Sequence, residues 1–327
     1  MISRDELIKD RKLCQEKSLG CLIGLAVGDA MGDLGRIDVY RKRYGIITAL
    51  YDGVKSTDDT EFALLTARTL VDCKGDLSQE RVLQSWKTHI LDQGGMFERG
   101  GRPLYGAVEN LKRGMTPPQS GIDNVFNNDD GAAMRIAPIG IVCAGEPERA
   151  GDMAEIEAQI SHHAGGIWAA RAVAASVAVA MVGGSTEEII DAGRRQIPKD
   201  SWLARTMTRA MDICDEERCI EGAWERLHTE LWTPEHATAE EAIPQSFAVF
   251  RLSDGDFRKS MIWGANFGRD ADTIGAVVGS LSGARQGISV IPKEWVEKVR
   301  HPAGVCLKFT ADEDIIDMGK QLAELIG

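Results

Sequence analysis

Apolar residues along this chain recur mainly at every third or fourth position and hardly anywhere alternate. Leu64, Ala67 and Val71 form one stripe, Leu83, Trp86 and Ile90 a second, and Leu203, Met207, Ala210 and Cys214 a third. Ile220, Ala223, Trp224, Leu227 and Leu231 repeat the pattern, and Ile315, Met318, Leu322 and Leu325 close the chain with it. That period predicts amphipathic helices. Start signals agree with it. Ser3 with Glu6 and Ser185 with Glu188 have capping-box spacing, and Thr238 with Glu241 caps a helix carrying Pro244 in its first turns. Pro103 and Pro292 suit helix starts. The Ser3 box predicts one long helix reaching Gly32, and the run from Gly131 to Gly145 predicts a buried helix opening at Gly131 and bent at Pro138. Only Ile46–Tyr51 offers a strand. The expected architecture is all-α, a single domain over residues 1–327 with a dozen or more helices and no linker or repeat.

Two of the expected helices carry glycine at every fourth position: Gly20, Gly24, Gly28 and Gly32 in one, Gly275, Gly279 and Gly283 in the other. A glycine inside a helix costs about 1 kcal/mol relative to alanine, so a row on one face needs a reason. Close approach of a neighbouring backbone supplies it. Either the two ridges pack on each other, or each receives a different helix.

Hydrophobic residues make up 43 % of the 327 residues, enough for a sizeable core. The net charge of −12 argues against a nucleic-acid partner, which needs clustered Lys and Arg, and suits a protein that holds divalent cations. The seven cysteines are scattered without a CxxC pair, indicating neither a zinc site nor a disulfide framework. The N-terminal stretch lacks the apolar core of a signal peptide. The most apolar stretch, 164–184, is rich in alanine and includes Arg171, which predicts a buried helix rather than a membrane span. A cytoplasmic location without a membrane partner is expected.

Chemistry enters with two short motifs, Thr57-Asp58-Asp59-Thr60 and Asp270-Ala271-Asp272-Thr273. Each alone is compatible with plain capping. Together they place acid, acid and hydroxyl at two helix starts. Four carboxylates brought close would repel by several kcal/mol, at roughly 4 kcal/mol per pair 4 Å apart for an effective dielectric of 20. A hard cation removes that penalty, and ligands that are all oxygen suit Mg²⁺-like ions.

With these motifs, the mid-chain GAAMRIAP (131–138), the Ser161-His162 pair before the alanine-rich stretch and GRDADTIGAVVGSLSGA (268–284), the chain resembles the ADP-ribosylglycohydrolases from roughly Gly20 to Gly287. GDAMG (28–32) adds support. The resemblance implies an all-α domain around two divalent cations, Mg²⁺ or Mn²⁺, and hydrolysis of an ADP-ribosyl N- or O-glycosidic bond. The partner would be an ADP-ribosylated protein or an ADP-ribosyl small molecule. Carried across, Thr57, Asp58 and Asp59 are one set of metal ligands and Asp270, Asp272 and Thr273 the other, with Asp272 bridging. Asp58 or Asp59 orients the attacking water. Asp130, Gly131, Ala132, Ala133, Met134 and His162 are implied to bind substrate, with backbone N–H groups after Asp130 presented to a diphosphate.

The chain departs from the family's pattern twice. The family's loop commonly reads Gly-Asn-Gly where this chain has Asp129-Asp130-Gly131, and some members place a glutamate about where Arg36 stands here. Two alternatives therefore stand beside the main reading. One is an N-glycosidase acting on a ribosyl conjugate or nucleoside that lacks the diphosphate. The other is a non-catalytic relative that binds ADP-ribose or serves structurally.

Overall fold

The computed structural model describes all 327 residues, and in it the two glycine ridges meet. Helix Arg11–Arg36 and helix Ala271–Gln286 lie antiparallel, with Gly20 against Gly283, Gly24 against Gly279 and Gly28 against Gly275. A Cβ on Gly24 would stand 2.2 Å from the Gly279 carbonyl oxygen, and one on Gly279 would stand 2.1 Å from that of Gly24. Backbone touches backbone, which only glycine permits. Gly32 closes the row beneath Ala271.

This pair is the axis of an all-α domain without a β-strand. Every residue from Ala271 to Ala284 is buried. Helices Gly165–Met181, Ala239–Leu252 and Phe257–Asn266 pack on Ala271–Gln286, and Ile315–Glu324 packs on Arg11–Arg36. The Arg11–Arg36 helix is long and apolar enough to cross a membrane, but 94 % of its apolar window is buried inside the protein. A smaller core of Phe62, Trp86, Leu104, Ile160 and Leu307 lies on the far side of the acidic helix Asp58–Asp72.

Several local expectations change in three dimensions. The Ser3 capping box forms both of its bonds, yet the helix stops at Lys9. The side chain of Asp10 then accepts from the Leu13 N–H at 3.0 Å and starts a new helix, which runs past Gly32 to Arg36. Ile46–Tyr51 is no strand. Ile47 donates its N–H to Asn266 Oδ1 (2.8 Å) and accepts from Asn266 Nδ2 (2.7 Å), so a side-chain amide stands where a neighbouring strand would be. Residues 131–135 form turns, and the helix begins at Ala137 with Pro138 in its first turn. Proline starts this helix rather than bending it, because its missing N–H is one that a first turn leaves unpaired anyway. Thr238 does not cap its helix. Its hydroxyl donates to the Glu235 carbonyl (2.7 Å), while Glu241 accepts from Thr233 and Arg269. The Ser185 box forms as expected.

Candidate active site

The antiparallel glycine pair brings the ends of two helices together. Arg11–Arg36 finishes where Ala271–Gln286 begins, and the acidic helix Asp58–Asp72 starts beside both. Between them lies a cleft of about 160 Å³ lined by Asp58, Asp59, Asp129, Asp130, Asp270 and Asp272, with Thr273, Met134 and Arg36 among its other walls. The two motifs therefore converge, as their shared pattern suggested.

The hydroxyl of Thr57 faces away from this cleft. It is buried and hydrogen-bonds to Asp29 (2.6 Å) and Asp59 (3.1 Å). The cap of the acidic helix comes from another helix altogether. Asp29 Oδ2 accepts from the N–H groups of Thr57 (3.0 Å) and Thr60 (3.2 Å) and from the Thr60 hydroxyl. Asp29 was present in the sequence inside GDAMG, but nothing local assigned it to residues 28 to 31 positions away. Glu61, one turn on, is fully buried and receives the N–H groups of Val305, Cys306 and Leu307 at 2.7–2.9 Å. That segment bonds Phe97 and Glu98, and the same stretch returns the Gly101 N–H to Asp58 Oδ2 at 2.9 Å. A closed circuit of bonds thus fixes the first acidic motif.

The second motif is aimed by a left-handed turn, Gly268 (φ +90°) and Arg269 (φ +57°). Arg269 holds that turn by bonding Glu241 (2.5 Å) and the Thr233 carbonyl (2.6 Å) and lying over the Trp232 ring. Asp270 makes no capping bond of its own, so its carboxylate is free to face the cleft.

The mid-chain loop behaves differently from the expectation. Asp130 is buried in the cleft, and its N–H is tied to the Ala237 carbonyl at 2.8 Å. Asp129 Oδ1 accepts the Gly131 N–H (2.9 Å) and the Nε2–H of His162 (2.6 Å). His162 accepts at Nδ1 from Ser161 (2.7 Å), and Ser161 accepts from Arg135 (2.9 Å). Arg135 has no exposure at all. It also bonds Glu157 and the Gly131 carbonyl and lies over the Phe62 and Trp86 rings. His162 is therefore consumed in holding Asp129, and burial pushes its imidazole pKa down. Ala132 and Ala133 are core residues outside the cleft, and only Asp130, Gly131 and Met134 of the expected substrate loop line it.

Arg36 is the cation of the site. Its Nη1 meets both oxygens of Asp272 and lies 3.1 Å from Asp270 Oδ1, while Nη2 is 3.3 Å from His236 Nε2. Burial would lower its pKa, but Asp272 and Asp270 outweigh that and raise it. His236 lines the cleft without any sequence signal that set it apart. At the rim, Arg99 pairs with Asp33, and Arg102 with Glu235.

Arg36 and the Asp33-paired Arg99 do not balance the six aspartates that line the cleft. Burial, then neighbouring carboxylates, raises Asp58, Asp59 and Asp130 well above the usual carboxylate range. Asp29 and Asp270 are raised to about 7, burial again leading. Asp59 Oδ1 and Asp130 Oδ2 are buried without a hydrogen-bond partner. No three carboxylates close around one point as a complete ligand sphere would. The donors nonetheless fit a hard cation in kind, since two orphaned anionic oxygens call for one and only oxygen is offered.

The titrations have a sign. The folded, metal-free protein binds more protons at these groups than the unfolded chain, whose aspartates titrate near 3.9, so this stability is present below about pH 4 and lost as pH rises through about 7. The melting temperature in chelator should fall by roughly 5 °C or more between about pH 5 and pH 8, and excess Mg²⁺ should flatten the decline. A calorimetric profile flat without metal would mean the carboxylates are already compensated.

The family model described as ADP-ribosylglycohydrolase matches residues 10–327. The chain is 30 % identical to an uncharacterised protein of Archaeoglobus fulgidus, covering 88 % of this chain and 92 % of that one. It is 26 % identical to the ADP-ribosyl-[dinitrogen reductase] glycohydrolase of Rhodospirillum rubrum, covering 87 % and 90 %. With an ADP-ribosylarginine hydrolase of Pseudomonas putida it shares 26 % identity over 87 % of this chain and 74 % of that one. A solved structure described as an ADP-ribosylglycohydrolase-related protein complex superimposes with a TM-score of 0.63 at 22 % identity, covering 97 % of this chain and all of the other, a likeness of fold.

Proposed function

The chain belongs to the ADP-ribosylglycohydrolase family, a family of hydrolases, and from that premise we propose that it removes ADP-ribose from a modified protein or small molecule with the help of a divalent cation, Mg²⁺ or Mn²⁺. The observation that carries the cation is the pair of buried, unpartnered oxygens, Asp59 Oδ1 and Asp130 Oδ2, in one acidic cleft. Asp59 and Asp130 are the side chains that would hold it, with Asp58 and Thr273 also lining the cleft. When bound, the ion would polarise a water and the ribose hydroxyls.

The chain's own groups supply the rest. Water adds to the anomeric carbon, the C–N or C–O bond breaks, and the proton lost by water ends on the leaving nitrogen or oxygen. With Asp59 Oδ1 given to the ion and Oδ2 to the Thr57 hydroxyl, the water proton goes to Asp58. Asp58 is held by Gly101 at one oxygen and keeps the other for the substrate side. The remaining carboxylates stabilise the oxocarbenium-like charge at the anomeric carbon.

One observation favours a second reading, a ribosyl substrate without the diphosphate. The Gly131 N–H, expected at a phosphate, is bonded to Asp129, and no helix opens at Gly131. The test offers ADP-ribosyl-arginine and an O-linked ADP-ribosyl serine with Mg²⁺, with Mn²⁺ and with chelator, and follows release of ADP-ribose. Hydrolysis should fall by about 100-fold or more in chelator. Full activity in chelator would end the cation-dependent reading. Tighter binding of adenosine than of ADP-ribose would make the second reading the leading one.

A further inference from the structure

We infer that Arg36 stands in for one of the two cations that the family resemblance implies, so that this chain holds a single divalent ion, on the side of the cleft where Asp59 and Asp130 leave oxygens unpartnered. The inference rests on the proposed cation dependence and adds to it a number and a place.

Three observations carry it. The first is where the backbone puts Arg36. A Cβ on Gly32 would lie 2.1 Å from the Ala271 carbonyl oxygen, and one on Gly35 would lie 1.6 Å from that of Ala265. The last turn of helix Arg11–Arg36 is therefore pressed onto the start of helix Ala271–Gln286, and residue 36 emerges beside Asp270 and Asp272 with little freedom to be elsewhere.

The second is how the guanidinium is used. Asp272 gives Nη1 both of its oxygens and Asp270 gives one, and these two carboxylates are buried while the arginine keeps a partly exposed edge. All of these contacts go to the one nitrogen, Nη1, which sets the positive charge between the two carboxylates. A second divalent ion bound by Asp270 and Asp272 would have to expel it, leaving two like charges, ion and arginine, to share the space.

The third is where demand remains. The oxygens without any partner, Asp59 Oδ1 and Asp130 Oδ2, belong to carboxylates that Arg36 does not bond. Both are almost fully buried and line the cleft, where one cation would satisfy two anionic oxygens at once. Asp130 brings to that side a carboxylate that the family's more usual asparagine would not.

Mn²⁺ alone is the probe, titrated calorimetrically at neutral pH into metal-free protein and counted by mass spectrometry after desalting. The wild type should hold one ion per chain. Arg36→Gln should hold two, the added ion bound at least about 100-fold more tightly than any second ion by the wild type, as expected for removing a buried ion pair's charge. Arg36→Lys, which keeps the charge, should stay at one. Two ions in the wild type would overturn the inference and leave the cation-dependent function standing. No ion in any protein would overturn both. A count of one in folded Arg36→Gln would overturn the assignment to Arg36, and if that variant fails to fold, the wild-type count decides alone.

Discussion

Gly279→Leu should leave little or no folded protein. The position lies at the middle of the antiparallel pair, where even a Cβ would come within 2.1 Å of a backbone oxygen. Helix backbones cannot yield as a flexible side chain can, so the two must separate along their whole shared face. Overpacking a core costs typically 1–3 kcal/mol, and a branched side chain between two backbones belongs at or beyond the top of that range, against a total stability of about 5–15 kcal/mol. The loss should spread to the site, because the same pairing sets Gly32 under Ala271 and so aligns Arg36 with Asp272. Gly279→Ala should fold but melt roughly 5–10 °C lower. Circular dichroism melting checks both. A wild-type transition in Gly279→Leu would mean the ridges do not touch.

Asp59→Ala should separate activity from stability. Asp59 makes one intramolecular bond, to the Thr57 hydroxyl, which keeps Asp29 as its nearer partner. Its Oδ1 bonds nothing. Removing it should lower hydrolysis of an ADP-ribosyl substrate by about 10³-fold or more, since a ligand of the proposed cation is lost. In chelator the same variant should melt at the wild-type temperature or above, because one of several buried like charges is gone. Activity within tenfold of wild type would remove Asp59 from the mechanism. A large drop in melting temperature would instead make it a structural residue.

The helices themselves were legible because their signals are local. The apolar period of 3.6, the boxes at Ser3 and Ser185, and the prolines near helix starts act within a turn or two of the residues they organise. The glycine rows and both acidic motifs were legible for a related reason. Each is an excess that its own helix cannot use, so it announces a need for something outside. What that something is depends on residues far away in the chain. Only packing decided that the two ridges answer each other, that Asp29 caps the helix of Thr57 from another element, and that Asp130 turns into the acidic cleft while Asp129 is held by His162. It also sent Ala132 and Ala133 into the core, although Gly131 and Met134 on either side line the cleft. Arg36 is the sharpest case. The sequence alone establishes that a cation stands there, but its partners lie 234 and 236 residues on, and only the contact of Gly32 with Ala271 brings them within reach. Sequence patterns record what each segment demands, whereas the direction in which a buried charge points is settled by whichever partner the tertiary structure delivers, since burial makes every unpaired alternative too costly.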